Sequence, residues 1–257
     1  MSDQGKFIWY ELLTTDPEGA KTFYSKVVGW TAQDMPMPGM TYTLLNVGDK
    51  RVAGLMGFQP HMPPGIPPNW TSYVAVDDCD AAAEKVKSLG GSVMAGPMDI
   101  PDVGRFAVIA DPAGAVIAIM TPRPPEPPAP PPPARTQGTA GWRELYGADP
   151  KTGFDFYGQM FGWKVDSDME MGPMGVYRLF SNQDGQVGGM MTKPDQVPVA
   201  CWIYYFHVDE IDAAAERVTS AGGSILMGPM EVPTGDWVFQ ARDPQGAVFA
   251  LVGPKRA

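Results

Sequence analysis

Histidine is nearly absent: the 257 residues contain two, His61 and His207. Cysteine is as scarce, with Cys79 and Cys201 far apart and in no metal-type spacing. That excludes a zinc motif built from these donors and a disulfide framework, and it fits a reducing compartment. Cations are outnumbered, 19 Lys+Arg against 29 Asp+Glu, for a net charge of −10, and no basic cluster reverses this locally. Long-range repulsion then argues against nucleic acid and against an anionic membrane surface as partners. No apolar run approaches the roughly 18–20 residues that span a bilayer. The opening "MSDQGKF" is polar and lacks a signal core, so a cytoplasmic location is expected. A nucleophile elbow, a phosphate loop and a Rossmann glycine pattern are also missing.

What the chain does have is repetition. "WYELLTTDPEGAKTFYSKVVGW" (9–30) and "WRELYGADPKTGFDFYGQMFGW" (142–163) share nine of twenty-two positions without a gap. "AVDDCDAAAEKVKSLGGSVMAGPM" (75–98) matches "HVDEIDAAAERVTSAGGSILMGPM" (207–230), and "ADPAGAVIAIM" (110–120) matches "RDPQGAVFALV" (242–252). The near-constant offset means that a whole domain is duplicated. Between the copies runs "PRPPEPPAPPPPA" (122–134). Proline cannot donate into a sheet or continue a helix, so this stretch should be a polyproline II spacer of roughly 40 Å, at about 3.1 Å per residue. The domain division expected from this is 1–122, a linker at 123–138, and 139–257. The paired copies suggest a monomer that imitates a dimer of single domains.

Each half is itself doubled, more faintly. An apolar run (7–13) leads to a helix that begins at Asp16-Pro17, where proline costs no hydrogen bond. Phe23, Tyr24, Val27 and Val28 give that helix one apolar face, and Gly29 ends it. Strand-like stretches follow at 41–47 and 51–58. The order then repeats with a strand at 70–76, a helix at 80–91 and strands at 104–111 and 115–121. Strand, helix, then two or three strands is an α+β pattern with the helices on one side of each sheet.

The run D-P-x-x-A-x-x-F-Y-x-x-x-x-G-W (Asp16 to Trp30), its second copy from Asp149 to Trp163, and the V-D-D-x-D-A-A-A-E-K and D-P-x-G stretches resemble the vicinal-oxygen-chelate superfamily. That group holds glyoxalases, bleomycin-resistance proteins and extradiol dioxygenases. The resemblance covers nearly everything except the proline stretch. It implies four βαβββ modules, paired into two domains, each a cupped sheet around a cavity.

It also implies one divalent metal per cavity, held by His, Gln or Glu on the first and last strands. The first-strand ligand of the family pattern stands seven residues before the Asp that precedes the helix. Counted from Asp16, Asp149, Asp77 and Asp209, that position holds Trp9, Trp142, Trp70 and Trp202. The corresponding last-strand positions of the second modules hold Ala118 and Ala250. Indole and methyl groups offer no lone pair to such a cation, so no metal and no other cofactor is expected.

What remains is a set of aromatic and carboxylate groups. Alternation puts Glu11 on the face of Trp9, and Glu144 on that of Trp142. Each carboxylate is a candidate general base, a contact for a polar or cationic ligand group, or a structural partner of the backbone or of an arginine such as Arg105. Trp9, Trp70, Trp142, Trp202 and Tyr204, with Tyr42 and Tyr177 on later strands, are candidate ligand-lining residues. Two Met-rich stretches read as loops, 34–40 and 168–175, would adapt to an apolar guest or to a neighbouring domain. His207 is expected on the helix side, if Trp202 faces the cavity. The expectation that follows is a metal-independent protein that binds a small apolar or aromatic molecule. Two alternatives stand beside it: a glyoxalase-type lyase or isomerase, or a dioxygenase, with an atypical site; and an interaction protein whose cavities are filled.

Overall fold

Asp16 starts the first helix as its sequence dictates. Its side chain accepts a hydrogen bond from the Gly19 amide, and Pro17 takes the first helical position. Ala20, Phe23, Tyr24 and Val27 form the buried stripe, and Gly29, at φ 89°, turns the chain out of the helix. The same logic builds the other modules. The computed structural model describes residues 2–37, 39–123, 132–133 and 135–256.

The first module comprises β1 (Phe7–Thr14), α1 (Pro17–Val27), β2 (Thr31–Met37), β3 (Met40–Val47) and β4 (Lys50–Gly57). The second comprises β5 (Asn69–Ala75), α2 (Cys79–Ser88), β6 (Ser92–Ile100), β7 (Gly104–Ala110) and β8 (Val116–Pro122). The third comprises β9 (Ala140–Gly147), α3 (Pro150–Phe161), β10 (Lys164–Glu170), β11 (Val176–Asn182) and β12 (Gly185–Thr192). The fourth comprises β13 (Cys201–His207), α4 (Ile211–Ser220), β14 (Ser224–Glu231), β15 (Trp237–Arg242) and β16 (Val248–Gly253). Four βαβββ modules make two eight-stranded mixed sheets, in the orders β2-β3-β4-β1-β5-β8-β7-β6 and β10-β11-β12-β9-β13-β16-β15-β14. The α+β class follows directly. Within each module the first strand runs parallel to the last, as β1 does to β4, because the helix returns the chain over one face.

Backbone contacts group these modules into two compact units. One holds Met1–Ile8, Thr71–Pro130 and Trp142–Trp202; the other holds Trp9–Trp70, Pro131–Gly141 and Ile203–Ala257. Each unit therefore takes one module from either half of the sequence. The proline stretch falls largely on 124–131 and 134, outside the described residues. Just after it, Gln137 donates to the Val28 carbonyl at 2.9 Å, and the Trp30 indole donates to the Gly138 carbonyl at 2.8 Å.

The two cores carry the same polar chain. In the second unit, buried Trp70 donates its indole N–H to the Tyr24 hydroxyl at 2.8 Å, and Tyr24 donates to Asp243 at 3.0 Å. In the first, Trp202 donates to Tyr157 at 3.1 Å, and Tyr157 donates to Asp111 at 3.0 Å. The other oxygen of Asp111 accepts from the Ala113 and Ala115 amides, which fixes the D-P-x-G turn. Around these chains some rings meet edge to face, as Tyr24 and Trp70 do at 5.3 Å, and others stack, as Tyr157 and Trp163 do at 5.6 Å. Such pairs contribute about 0.5–1.5 kcal/mol each beyond area burial.

Burial is the main influence on Asp111 and Asp243, and it lifts both carboxyls above the usual carboxylate value, against backbone N–H donors that pull them down. A carboxyl raised in the folded state contributes stability below its unfolded value of 3.8 and loses it as pH rises through the folded value. Asparagine removes that dependence. The cost of Asp111→Asn, measured by urea denaturation, is therefore expected to shrink from pH 3.5 to pH 7. A cost that grows with pH would contradict the assignment.

Candidate functional site

Strand parity separates the two faces of β1. Tyr10 and Leu12 are buried in the core, while Trp9, Glu11 and Leu13 stand half-buried on the other face. Register extends that face across the module. Glu11 is level with Gly54 and Leu44, and Leu13 with Met56, Tyr42 and Met35. Tyr42 lies across the strand beside it, because a Cβ at Gly54 would collide with its ring and hydroxyl. Glycine at 54 is what lets the phenol reach over the sheet. There the Trp9 indole donates to the Tyr42 hydroxyl at 2.9 Å, and Tyr42 donates to a Glu11 carboxylate oxygen at 2.8 Å.

The third module repeats this arrangement in the other unit. Trp142 donates to the Tyr177 hydroxyl at 2.9 Å, Tyr177 is hydrogen-bonded with Glu144, and a side chain at Gly189 would collide with Tyr177. Glu144 is level with Gly189, and Tyr146 with Met191, Tyr177 and Met169. Burial first, and the neighbouring carboxylate second, hold both phenols well above the ordinary tyrosine value. They stay protonated and keep donating. Glu144 is buried whereas Glu11 is half-buried. The Cys201 thiol is pushed up to about 11, by burial and then by Glu144, with Lys193 drawing it down. It is therefore a poor nucleophile.

The four tryptophans do not share one environment. Trp70 is 5% exposed and Trp202 6%, both committed to the core chains described above, and Tyr204 is fully buried with Tyr10 edge-on at 5.5 Å. The reason is a shift of one residue. The helix α2 is capped by Asp78 and α4 by Glu210, not by Asp77 and Asp209. Seven residues before the true caps stand Thr71 and Ile203, on the opposite face of their strands. Register agrees, since Ala118 is level with Tyr73, and Ala250 with Tyr205. The condition set for His207 fails likewise: Trp202 packs on the helix side, against Tyr157 of α3, so His207, which alternates with it along β13, is on the face away from the helices. Of the stretches read as loops, 34–37 belongs to the edge strand β2 and 168–170 to the edge strand β10, while 171–175 is a loop with one 3-10 turn at Gly172–Met174. Arg105 pairs with Asp80 at 2.7 Å and with Asp99, both in its own unit.

Residues missed by sequence reasoning are Gly54 and Gly189, with Met56 and Met191 beside them. A glycine at equivalent places of two repeated strands was the available signal.

The donor chemistry does not fit a divalent metal of the family type. Each triad offers one carboxylate among an indole, a phenol and thioethers, and oxygen- or imidazole-rich sets are what such ions require. Among the described residues no three His, Cys, Asp or Glu side chains come together in a way that would hold an ion. A separate cavity of about 410 Å³ in the first unit, lined by Ala113, Gly147, Lys193, Pro198 and Val199 among others, shares no lining residue with the Trp142 triad. Among the described residues, no helix is long and apolar enough to cross a membrane.

With this geometry in hand, comparison with known proteins is specific. The model of the Glyoxalase/Bleomycin resistance protein/Dioxygenase superfamily matches residues 6–119 and 139–251, and the chain belongs to that family. It is 35% identical over 253 residues to "Putative glyoxylase CFP32" of Mycobacterium tuberculosis (strain CDC 1551 / Oshkosh), covering 98% of this chain and 95% of that protein. It is 32% identical over 260 residues to "Anthracycline biosynthesis protein DnrV" of Streptomyces peucetius, covering 95% and 91%. A Mn(II)-bound glyoxalase from Novosphingobium aromaticivorans shares the fold, with a TM-score of 0.65, 14% identity, and coverage of 100% of this chain and 84% of that one.

Proposed function

We propose that the chain binds a small apolar or aromatic molecule at the Trp9 and Trp142 faces, without a divalent metal of the family type. One observation carries this reading. In both copies a half-buried indole is pinned by its edge, through Trp–Tyr–Glu hydrogen bonds, so that its face is presented rather than free to turn. A ring held in this way is preorganised to stack on a flat guest, which lowers the entropy cost of binding. Methionines level with Tyr42 and Tyr177 supply polarisable, adaptable walls. The relative named for anthracycline biosynthesis is in keeping with a small-molecule guest.

Ligand screening by intrinsic tryptophan fluorescence tests this. For any aromatic hit, the double variant Trp9→Ala/Trp142→Ala is expected to weaken affinity at least tenfold, while Trp237→Ala leaves it unchanged. Hits indifferent to both triad tryptophans would remove the assignment. So would one tightly bound Zn, Ni, Fe or Mn per chain in elemental analysis.

A second reading is favoured by the Tyr–Glu pair and by the glyoxylase name of a relative. A carboxylate beside a phenol held protonated can act as base and acid in an isomerisation or lyase reaction. Turnover of an aldehyde or hemithioacetal substrate that is lost in both Glu11→Gln and Glu144→Gln would favour it.

A further inference from the structure

We infer that the first and third modules each carry a soft-metal site: three methionine thioethers in M-x-M-x-x-M spacing, joined by a fourth from a strand of the same module, that take up Cu(I). This goes beyond the binding reading above and rests on different atoms.

The spacing occurs twice. Met35, Met37 and Met40 stand in "DMPMPGM", and Met169, Met171 and Met174 in "DMEMGPM". Every residue between the methionines differs from one copy to the other, and the methionines stay. An apolar wall could be built as well from leucine or isoleucine; what only methionine adds is sulfur.

In the first module, Asp34 accepts from Lys21 of α1 at 2.9 Å, so its face of β2 is the helix side, and Met35 and Met37 lie on the opposite one. Register sets Met37 against Met40, and Met35 level with Tyr42 and Met56. Directly opposed residues have Cβ atoms about 4.5–5.5 Å apart, and same-face neighbours along a strand repeat at about 6.8 Å. A methionine side chain, with three rotatable bonds, spans such gaps. The Tyr42 phenol leans over Gly54, out of the row it shares with Met35 and Met56. Met35 is 39% exposed and Met37 40%, so these thioethers are not filling a core.

The third module reaches the same donor set by another backbone. Arg178 pairs with Asp168 at 2.8 Å and lies over the Phe154 ring of α3, which marks the helix side of β10. Met169 is on the other side, level with Tyr177 and Met191. Past the strand end the Met171 amide donates to the Gly175 carbonyl at 2.8 Å, and the Met174 amide to the Met171 carbonyl at 3.3 Å. Met171 and Met174 thus share one turn, with Met174 exposed. Each set of four methionines falls within one compact unit.

The chemistry of the donors selects the ion. Thioethers are soft and uncharged; they suit Cu(I) and not the harder divalent ions, so the misfit to a metal of the family type does not extend to it. A thioether also has no proton to lose. Its affinity for a metal therefore lacks the pH dependence of imidazole, thiol or carboxylate ligands. The chain's charge of −10 favours the approach of a cation.

The test uses Ag(I), a soft monovalent ion that keeps its oxidation state in air, followed by Cu(I) under anaerobic reducing conditions. Stoichiometry is read by native mass spectrometry of the full chain, and the ligands by carbon-13 NMR of the methionine methyl groups. Two ions per chain are expected. Met37→Leu/Met40→Leu should weaken one of them by about tenfold or more, and Met171→Leu/Met174→Leu the other. Leucine conserves volume, so thermal melting, and the affinity of any aromatic hit, should be unchanged in both variants. Met227→Leu/Met230→Leu and Cys79→Ser/Cys201→Ser should each alter Ag(I) affinity less than twofold, and that affinity should be flat between pH 5.5 and pH 7.5. Retention of both ions in the two methionine-pair variants, their loss in the cysteine variant, or affinity that falls steeply with acid would overturn the assignment.

Discussion

Replacing Tyr157 with phenylalanine is expected to cost about 3 kcal/mol of stability, more than any change at the surface. The hydroxyl serves two buried groups at once, accepting from Trp202 at 3.1 Å and donating to Asp111 at 3.0 Å. Without it both lose this partner inside a core where water does not replace it. Each such loss costs about 1–3 kcal/mol, and ring packing is otherwise preserved. For a chain of this length the melting temperature should fall by roughly 6–12 °C, at about 2–4 °C per kcal/mol. Tyr24→Phe should behave alike, since Trp70 and Asp243 depend on it in the same way. Tyr177→Phe, on a half-buried face, should cost less. Urea denaturation of the three variants decides the matter. A loss below about 0.5 kcal/mol for Tyr157→Phe, within the ordinary scatter of surface substitutions, would show that the core chain is not what binds helix to sheet.

Gly54→Ala is the second large effect. The added methyl would overlap the Tyr42 ring and hydroxyl, and overpacking of this kind costs about 1–3 kcal/mol. Tyr42 must swing away, which takes the acceptor from the Trp9 indole and the donor from Glu11. The Trp9 indole N–H resonance should move in the NMR spectrum, and affinity for any aromatic guest should fall with it. The background variant Tyr42→Ala identifies the cause. With the ring removed, Gly54→Ala should be neutral or stabilising by about 0.5–1 kcal/mol, the usual difference between alanine and glycine in a strand. If the cost is the same in both backgrounds, the glycine answers some other constraint.

Much of this molecule is legible in one dimension. Asp16-Pro17 and Asp149-Pro150 announce helix starts, because a side-chain acceptor and a fixed φ are local properties. The duplication, the α+β order and the pairing of Glu11 with Trp9 on one face follow from offsets and from strand alternation. The edge strands β2 and β10 are less legible. They are exposed along almost their whole length, so they carry no alternation of apolar and polar residues, and their methionines read as loops. The second-module tryptophans mislead for a subtler reason. Two acidic residues stand side by side before α2, Asp77 and Asp78, and before α4, Asp209 and Glu210. Only geometry shows which one accepts from the helix amides, and a shift of one residue turns every side chain of a strand to the other face.

The sequence by itself therefore determined the family, the four modules, the scarcity of metal donors and the aromatic-carboxylate character of two strands, all of which depend on residue identity and short-range spacing. Tertiary structure alone decided which tryptophans are buried in the core and which stand half-buried outside it. Trp9 and Trp70 look alike in sequence, yet one indole meets a phenol held out over Gly54, and the other meets a phenol on a helix above a buried aspartate. That difference comes from partners 33 and 46 residues away, and no local pattern records where the chain will bring them.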